Sequence, residues 1–373
     1  MSGVTPPLPR WADAFLLPII NLAIALFICG LIILAIGENP WKALTVMLKG
    51  AFVFPGSLGY TLYYTTNFIF TGLAVAVAFH AMMFNIGGEG QAYLGGLGAG
   101  LVGVFLAPSL PLVVALPLAV AMAALFGALW GIIPGYLQAK RGSHIVITTI
   151  MFNFIAASLM VWLLSGPLMA PGQMSSQTIR IADTAELAKI ASVLGAFGVK
   201  TASSPLNLSF VLAIFALFAF WVLIWKTKLG YEIRAVGQNP DAAHYAGINV
   251  PKIIIVTLAI SGGIAGLMSV NEILGVQHKV ILNFTAGFGF TGIAVSLMGR
   301  NHPVGIFLAS LLFGALYQGG AELDFEFSTI TREMVLLIQG LIILFCGALV
   351  HMLNPPMARL LARVMKPKEL ASV

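Results

Sequence analysis

Charge is scarce in this chain: only 9% of its 373 residues are Asp, Glu, Lys or Arg, while 59% are hydrophobic. A soluble domain carries about a quarter charged residues, so this balance excludes one and indicates a polytopic membrane protein. Cysteine is almost absent too. Cys29 and Cys346 both lie inside apolar stretches, which argues against a disulfide scaffold and against thiolate metal chemistry. The six histidines never fall at His-x-x-x-His spacing, and no nucleophile–base set emerges, so a metalloenzyme or membrane-embedded enzyme is unsupported. No Gly-x-x-x-x-Gly-Lys-Ser/Thr loop occurs, and the chain should therefore not hydrolyse ATP itself. The net charge of +6 lacks the aromatic-interleaved basic stripe of a nucleic-acid surface and fits lysines and arginines facing anionic headgroups. Intramembrane acids are too few for the relay of a proton-coupled carrier, since Glu89 stands nearly alone.

What is present is apolar sequence in span-length pieces. At about 20 residues per span, ten helices are expected, near 14–36, 60–82, 90–107, 111–138, 144–166, 207–226, 251–275, 285–299, 303–322 and 333–352. The N-terminal stretch behind Arg10 runs past signal-peptide length without a small-residue cleavage pattern and reads as a retained first helix. With an even span number and a cytoplasmic N-terminus, the inside loops hold 12 of the 19 basic residues, among them Lys140, Arg141, Lys226, Lys228, Arg234 and Arg359. That bias puts both termini in the cytoplasm. The chain reads as one membrane domain, 1–373. Its longest hydrophilic connection, 167–206, falls outside and divides the spans five and five. Two halves of an odd span number have opposite topology, so an inverted repeat is expected.

A polar island at 230–250 falls inside. Asn239-Pro240-Asp241 opens a short helix, with Pro240 suited to its first position, and Gly247 stops it after roughly two turns. Such a helix has little of its own chain to pack on, which points to a docking partner.

Polar residues within spans mark a candidate pathway. Phe84-Asn-Ile-Gly-Gly-Glu-Gly-Gln91 is the most polar sequence in the first half, and a carboxylate among three glycines is costly at membrane depth unless paired, hydrated or functional. Asn85, Glu89 and Gln91 are the candidates there. A turn at the membrane surface is the alternative. Thr149 and Asn153, four apart, share one face of the fifth span, and Asn153 needs either a neighbouring helix or a substrate hydroxyl as partner. Phe288, Phe290 and Thr291 occupy a second glycine-punctuated helix start, where the aromatics could stack on a planar ring; core packing is the alternative. Asn67, Asn271 and Glu272 read as scattered interhelical hydrogen-bonding groups.

These segments resemble a known family. Phe84–Gln91, Val146-Ile-Thr-Thr-Ile-Met-Phe-Asn153, Thr227–Ile248 and Gly287-Phe-Gly-Phe-Thr-Gly-Ile-Ala-Val-Ser-Leu-Met-Gly299 are similar, in order, to the signatures of bacterial ABC-importer permeases of the simple sugar and nucleoside branch, related to ribose-type and branched-chain amino-acid permeases. The resemblance implies a type II-like transmembrane subunit of the inner membrane, without catalytic residues, cofactor or metal of its own. Its partners would be a second permease, identical or homologous, two cytoplasmic ATPase subunits that bind ATP and Mg, and an extracytoplasmic binding protein. Asn239, Pro240, Asp241, Ala242, Ala243, His244, Tyr245, Ala246 and Gly247 would then form the coupling helix that lies against the ATPase. A stand-alone carrier or channel is the competing class. His144-Ile145 and Thr291 depart from the acids that relatives assigned to nucleosides often carry, so the substrate stays open between nucleoside and sugar.

Overall fold

The structure, a computed structural model, describes residues 16–199, 201–331, 333–342 and 344. The terminal basic residues (Arg10, Arg359, Arg363, Lys366 and Lys368), Lys200, Arg332, Cys346 and the last part of the tenth expected span lie outside the described residues. The described chain is built from helices, with only two isolated β-bridges. Two compact units can be distinguished, 1–50 with 316–373, and 51–315.

Among the described residues, seven helices are long and apolar enough to cross a membrane: α3 (Ser57–His80), α4 (Gly88–Leu101, prolonged by a π turn to Leu106 and a 3-10 turn to Ser109), α5 (Leu112–Arg141), α6 (Ile145–Leu164), α8 (Ser209–Lys226), α11 (Val250–Ser269, prolonged by a π segment, Val270–Gln277) and α13 (Pro303–Glu326). The other three of the ten expected spans are described only in bent or shorter form. The 14–36 span is one arm of a pair, α1 (Leu17–Ala35) and α2 (Pro40–Phe52), bent by 120°. Gly37 in the left-handed region and Asn39 cause the bend, because the Asn39 carboxamide accepts the Trp41 and Lys42 amides and so starts a new helix. The 285–299 span is only α12 (Phe288–Met298), since the preceding residues form a turn, and 333–352 is described as a helix only over Glu333–Ile342. Three further helices are too short to span: the apolar α7 (Ile190–Ala196) and the more polar α9 (Lys228–Gln238) and α10 (Pro240–Tyr245).

In the 51–315 unit, α5 and α11 pack through glycines spaced four apart. A Cβ on Gly127 would strike the Gly262 carbonyl, and one on Gly131 the Leu258 carbonyl, so these backbones approach as closely as small-residue membrane interfaces allow. α3 is the most buried span, and its threonines 65, 66 and 71 return their hydroxyls to carbonyls of their own helix. The connection after α6 lies across one end of this unit. Ala182 N–H donates to Gly103 O, Thr178 N–H to Val280 O, Ile181 N–H to His278 O and Leu187 N–H to Leu274 O, so it straps the far end of α4 to the end of the π segment.

Candidate functional site

After α3 ends at His80 the chain turns through Ala81 and Met82, with Met82 at φ of 53° and Met83 N–H donating to Ala78 O, and then runs back along α3. Asn85 marks how far. Its Nδ2 donates to Ser261 Oγ at 2.8 Å, and that hydroxyl donates to Ala74 O at 2.6 Å, so Asn85 lies level with a residue about 9 Å before the end of α3. Asn85 Oδ1 accepts Gly87 N–H at 2.8 Å, and its Nδ2 also donates to Gln91 Oε1 at 3.0 Å. α4 therefore starts inside the helical bundle. Two side chains of α6 hold the approach: Asn153 accepts Gly90 N–H (2.8 Å) and donates to Ile86 O (2.9 Å), while Thr149 Oγ1 accepts Ile86 N–H (3.3 Å).

α12 starts against the start of α4, with Gly289 beside Gly88 and Glu89. Gly287, with φ of 79°, turns the chain into it, and the Phe288 ring meets Phe68 edge-on at 5.4 Å, about 18 Å before the end of α3. From there α12 follows α3 through Gly292 against Thr71 and Val295 against Gly72, to Asn301, whose carbonyl lies 3.1 Å from His80 Nε2. α4 leaves the junction the other way, toward the strap at Gly103. Two helix N-termini thus converge, and Glu89 stands between them. Its Oε1 accepts Thr285 Oγ1 (2.5 Å) and Gly287 N–H (2.9 Å), and its Oε2 accepts Gly289 N–H (2.8 Å). A Cβ on Gly289 would collide with the Glu89 backbone, so glycine is required where the helix ends touch.

The structure thereby joins Asn85, Glu89, Gln91, Thr149 and Asn153 into one buried assembly within the chain. Asn153 has the neighbouring segment as its partner. The two phenylalanines separate: Phe288 is buried at 4% exposure while Phe290 is 48% exposed, with Leu297 on the same open stripe of α12 and Ala286 open in the turn before it. Thr291 is half-buried, its hydroxyl 3.3 Å from Gly287 O.

Sequence reasoning missed Thr285, Gly289 and Ser261 as parts of this assembly. It also took Asn67, Asn271 and Glu272 as scattered, whereas they form one network. Tyr63 Oη and Asn67 Nδ2 donate to Glu272 Oε1, and Asn271 Nδ2 donates to Asn67 Oδ1, while Asn271 Oδ1 accepts from Asn207 and Ser209. The adjacent Asn271-Glu272 pair in an apolar span was the available signal. Both sit in the π segment, a form that collects at functional or strained positions.

The polar island is two helices. Thr227 caps α9 by accepting Gly230 N–H at 3.0 Å; Asn239 caps α10 by accepting Ala242 N–H at 2.9 Å; Gly247, with φ of 83°, ends it. α10 is six residues long and is not wholly without support, because Ala243 is 3% exposed, although Asp241, Ala242 and Tyr245 are open. α9 anchors the island: a Cβ on Gly237 would strike the His80 carbonyl, so α9 lies against the end of α3. No cluster able to hold a metal ion occurs among the described residues.

A family model described as the branched-chain amino acid transport system permease component matches residues 57–347. The chain belongs to this family. It is 37% identical over 335 residues to the guanosine ABC transporter permease protein of Bacillus subtilis, covering 89% of this chain and 93% of that one. It is 34% identical over 336 residues to the nucleoside ABC transporter permease of Lactococcus lactis, covering 88% and 90%, and 33% identical over 337 residues to the glucose ABC transporter permease of Haloferax volcanii, covering 90% and 88%. No solved structure matches it. The chain is thus a multi-pass membrane subunit of the ABC permease type, as its signatures imply.

Proposed function

We propose that this permease is the transmembrane subunit of an importer that moves a nucleoside or simple sugar-like molecule, delivered by an extracytoplasmic binding protein and driven by separate ATPase subunits that bind ATP and Mg. The observation that carries the reading is the route from the polar island to the α4–α12 junction. The exposed face of α10, Asn239–Gly247, meets the ATPase in the cytoplasm. α9 transmits its displacement to the end of α3, where His80 also meets the end of α12, and α12 ends its other course on Glu89. A push on the island therefore reaches the junction through two packed helices.

The pathway runs beside that junction, between this subunit and a second permease, along the open stripe of α12 that bears Phe290 and Thr291. Midway along the 24-residue α3 is near the bilayer centre, where transporters of inverted halves place their sites. The opposed hairpins support an inverted five-plus-five plan: α3 is followed by a re-entering segment and α4, and α11 with its π segment by a turn and α12, running in the opposite direction. Both termini then lie in the cytoplasm and 167–206 outside the inner membrane.

Reconstitution tests this. The chain, co-purified with candidate ATPase subunits and placed in liposomes with a binding protein, should take up labelled nucleoside or hexose only with ATP, and deletion of Asn239–Gly247 should abolish ATPase association. Uptake by the chain alone, without ATPase, would replace the proposal with a stand-alone carrier.

A further inference from the structure

The α4–α12 junction has an unusual electrical make-up. Each helix N-terminus carries about half a positive charge in its unpaired amides, and two such ends converge here. Alone they would form an anion site in a low-dielectric setting. Glu89 already fills it. The carboxylate belongs to the first turn of α4 and reaches over to the amides that open α12. Its three partners, Thr285, Gly287 and Gly289, all donate to it, and all are neutral. No ion pair engages it among the described residues. The polar side chains around it, Asn85, Gln91, Thr149, Asn153 and Ser261, carry no charge. One carboxylate thus cancels two half-charges, and the junction is close to neutral while keeping its backbone dipoles oriented.

We infer that Glu89 is a specificity-determining residue: it neutralises the converging helix ends so that the pathway favours uncharged polar solutes over their phosphorylated or carboxylated counterparts. The inference rests on the reading of the α4–α12 junction as part of the pathway. A carboxylate serving only as a helix cap would give the same hydrogen bonds, but its loss would loosen the junction without choosing between ions of opposite sign. Removing the charge leaves a net positive junction, which attracts anions and repels cations. The open flank at Phe290 and Ala286 gives small ions a way to sense that field.

The test uses the full permease–ATPase complex in liposomes, without a binding protein, so that delivery does not decide the outcome. Iodide influx is read from quenching of a trapped dye, and sodium influx from a trapped sodium indicator. Glu89→Gln should raise iodide influx several-fold and leave sodium influx at or below the wild-type level, whereas Glu89→Asp should behave as wild type. Thr285→Val, which removes a donor but keeps the charge, should leave the iodide-to-sodium ratio unchanged. Phe290→Lys, at an exposed position outside the buried assembly, should raise the ratio by adding a positive charge and gives the answer if Glu89→Gln does not fold. An unchanged ratio in the folded charge variant would overturn the inference, and so would iodide and sodium influx rising together. Failure of the ATPase to associate with the wild-type chain would instead overturn the permease reading, so the two failures are distinguishable.

Discussion

Two buried carboxylates in the 51–315 unit are held in different ways. Glu272 is bound by side chains, Tyr63 and Asn67, and through Asn271 its network reaches Asn207 and Ser209 at the start of α8. Glu89 is bound chiefly by backbone amides at the start of a different helix, with one hydroxyl beside them. The first arrangement ties α3, the π segment and the start of α8 together through one buried side-chain network. The second joins only two helix ends, whose amides would donate to water and whose carboxylate would accept from it if the helices parted. Glu272 therefore reads as a fixed point, and Glu89 as a joint.

The largest expected effect breaks the fixed point. Glu272→Ala strands two buried donors and should cost roughly 3 kcal/mol, seen as a lower unfolding temperature of the detergent-purified chain; unchanged melting would remove the distinction. Gly289→Ala drives a methyl into the Glu89 backbone. Overpacking costs of about 1–3 kcal/mol apply, and transport in reconstituted vesicles should fall by more than that stability loss accounts for. Asn153→Ala frees Gly90 N–H and Ile86 O from their partner. A loss of about 1 kcal/mol is expected, with uptake again reduced more than melting; the reverse order would make α6 a fixed point too.

The smallest effect concerns His278, which follows the π segment that carries Glu272 and begins the turn leading to Gly287. Burial holds its pKa below the ordinary histidine range; nearby Glu186 opposes this, while Arg180 and Lys189 add to the lowering. The unfolded chain thus takes up the proton first. Stability from the neutral ring is present above about pH 6.5 and is lost as pH falls below it. Melting should be slightly lower at pH 5 than at pH 7.5, and His278→Gln should flatten the difference.

Much of the plan was legible. Span-length apolar runs located the long helices, and Asn239, Pro240 and Gly247 delimited α10 because capping and left-handed stops are local chemistry. The fold-back at 81–87 was not legible, because a glycine-rich polar segment reads equally as a surface turn until Asn85 is seen level with Ala74. The shortness of α12 was hidden for a related reason. Residues 285–287 are apolar or small enough to pass for helix, yet they are spent on the turn that presents amides to Glu89.

The sequence by itself determined the solvent in which this protein lives, its family, and the positions of its caps and glycines, since these depend on composition and neighbours within one turn. Only the tertiary structure decided that Glu89 faces the start of α12, that Asn153 is spent on a neighbouring segment, and that Phe288 is buried while Phe290 is open. Each of these depends on which helices meet at which depth. That is fixed by close backbone packing such as α5 on α11 and α9 on the end of α3, where the absence of a side chain matters as much as any residue present.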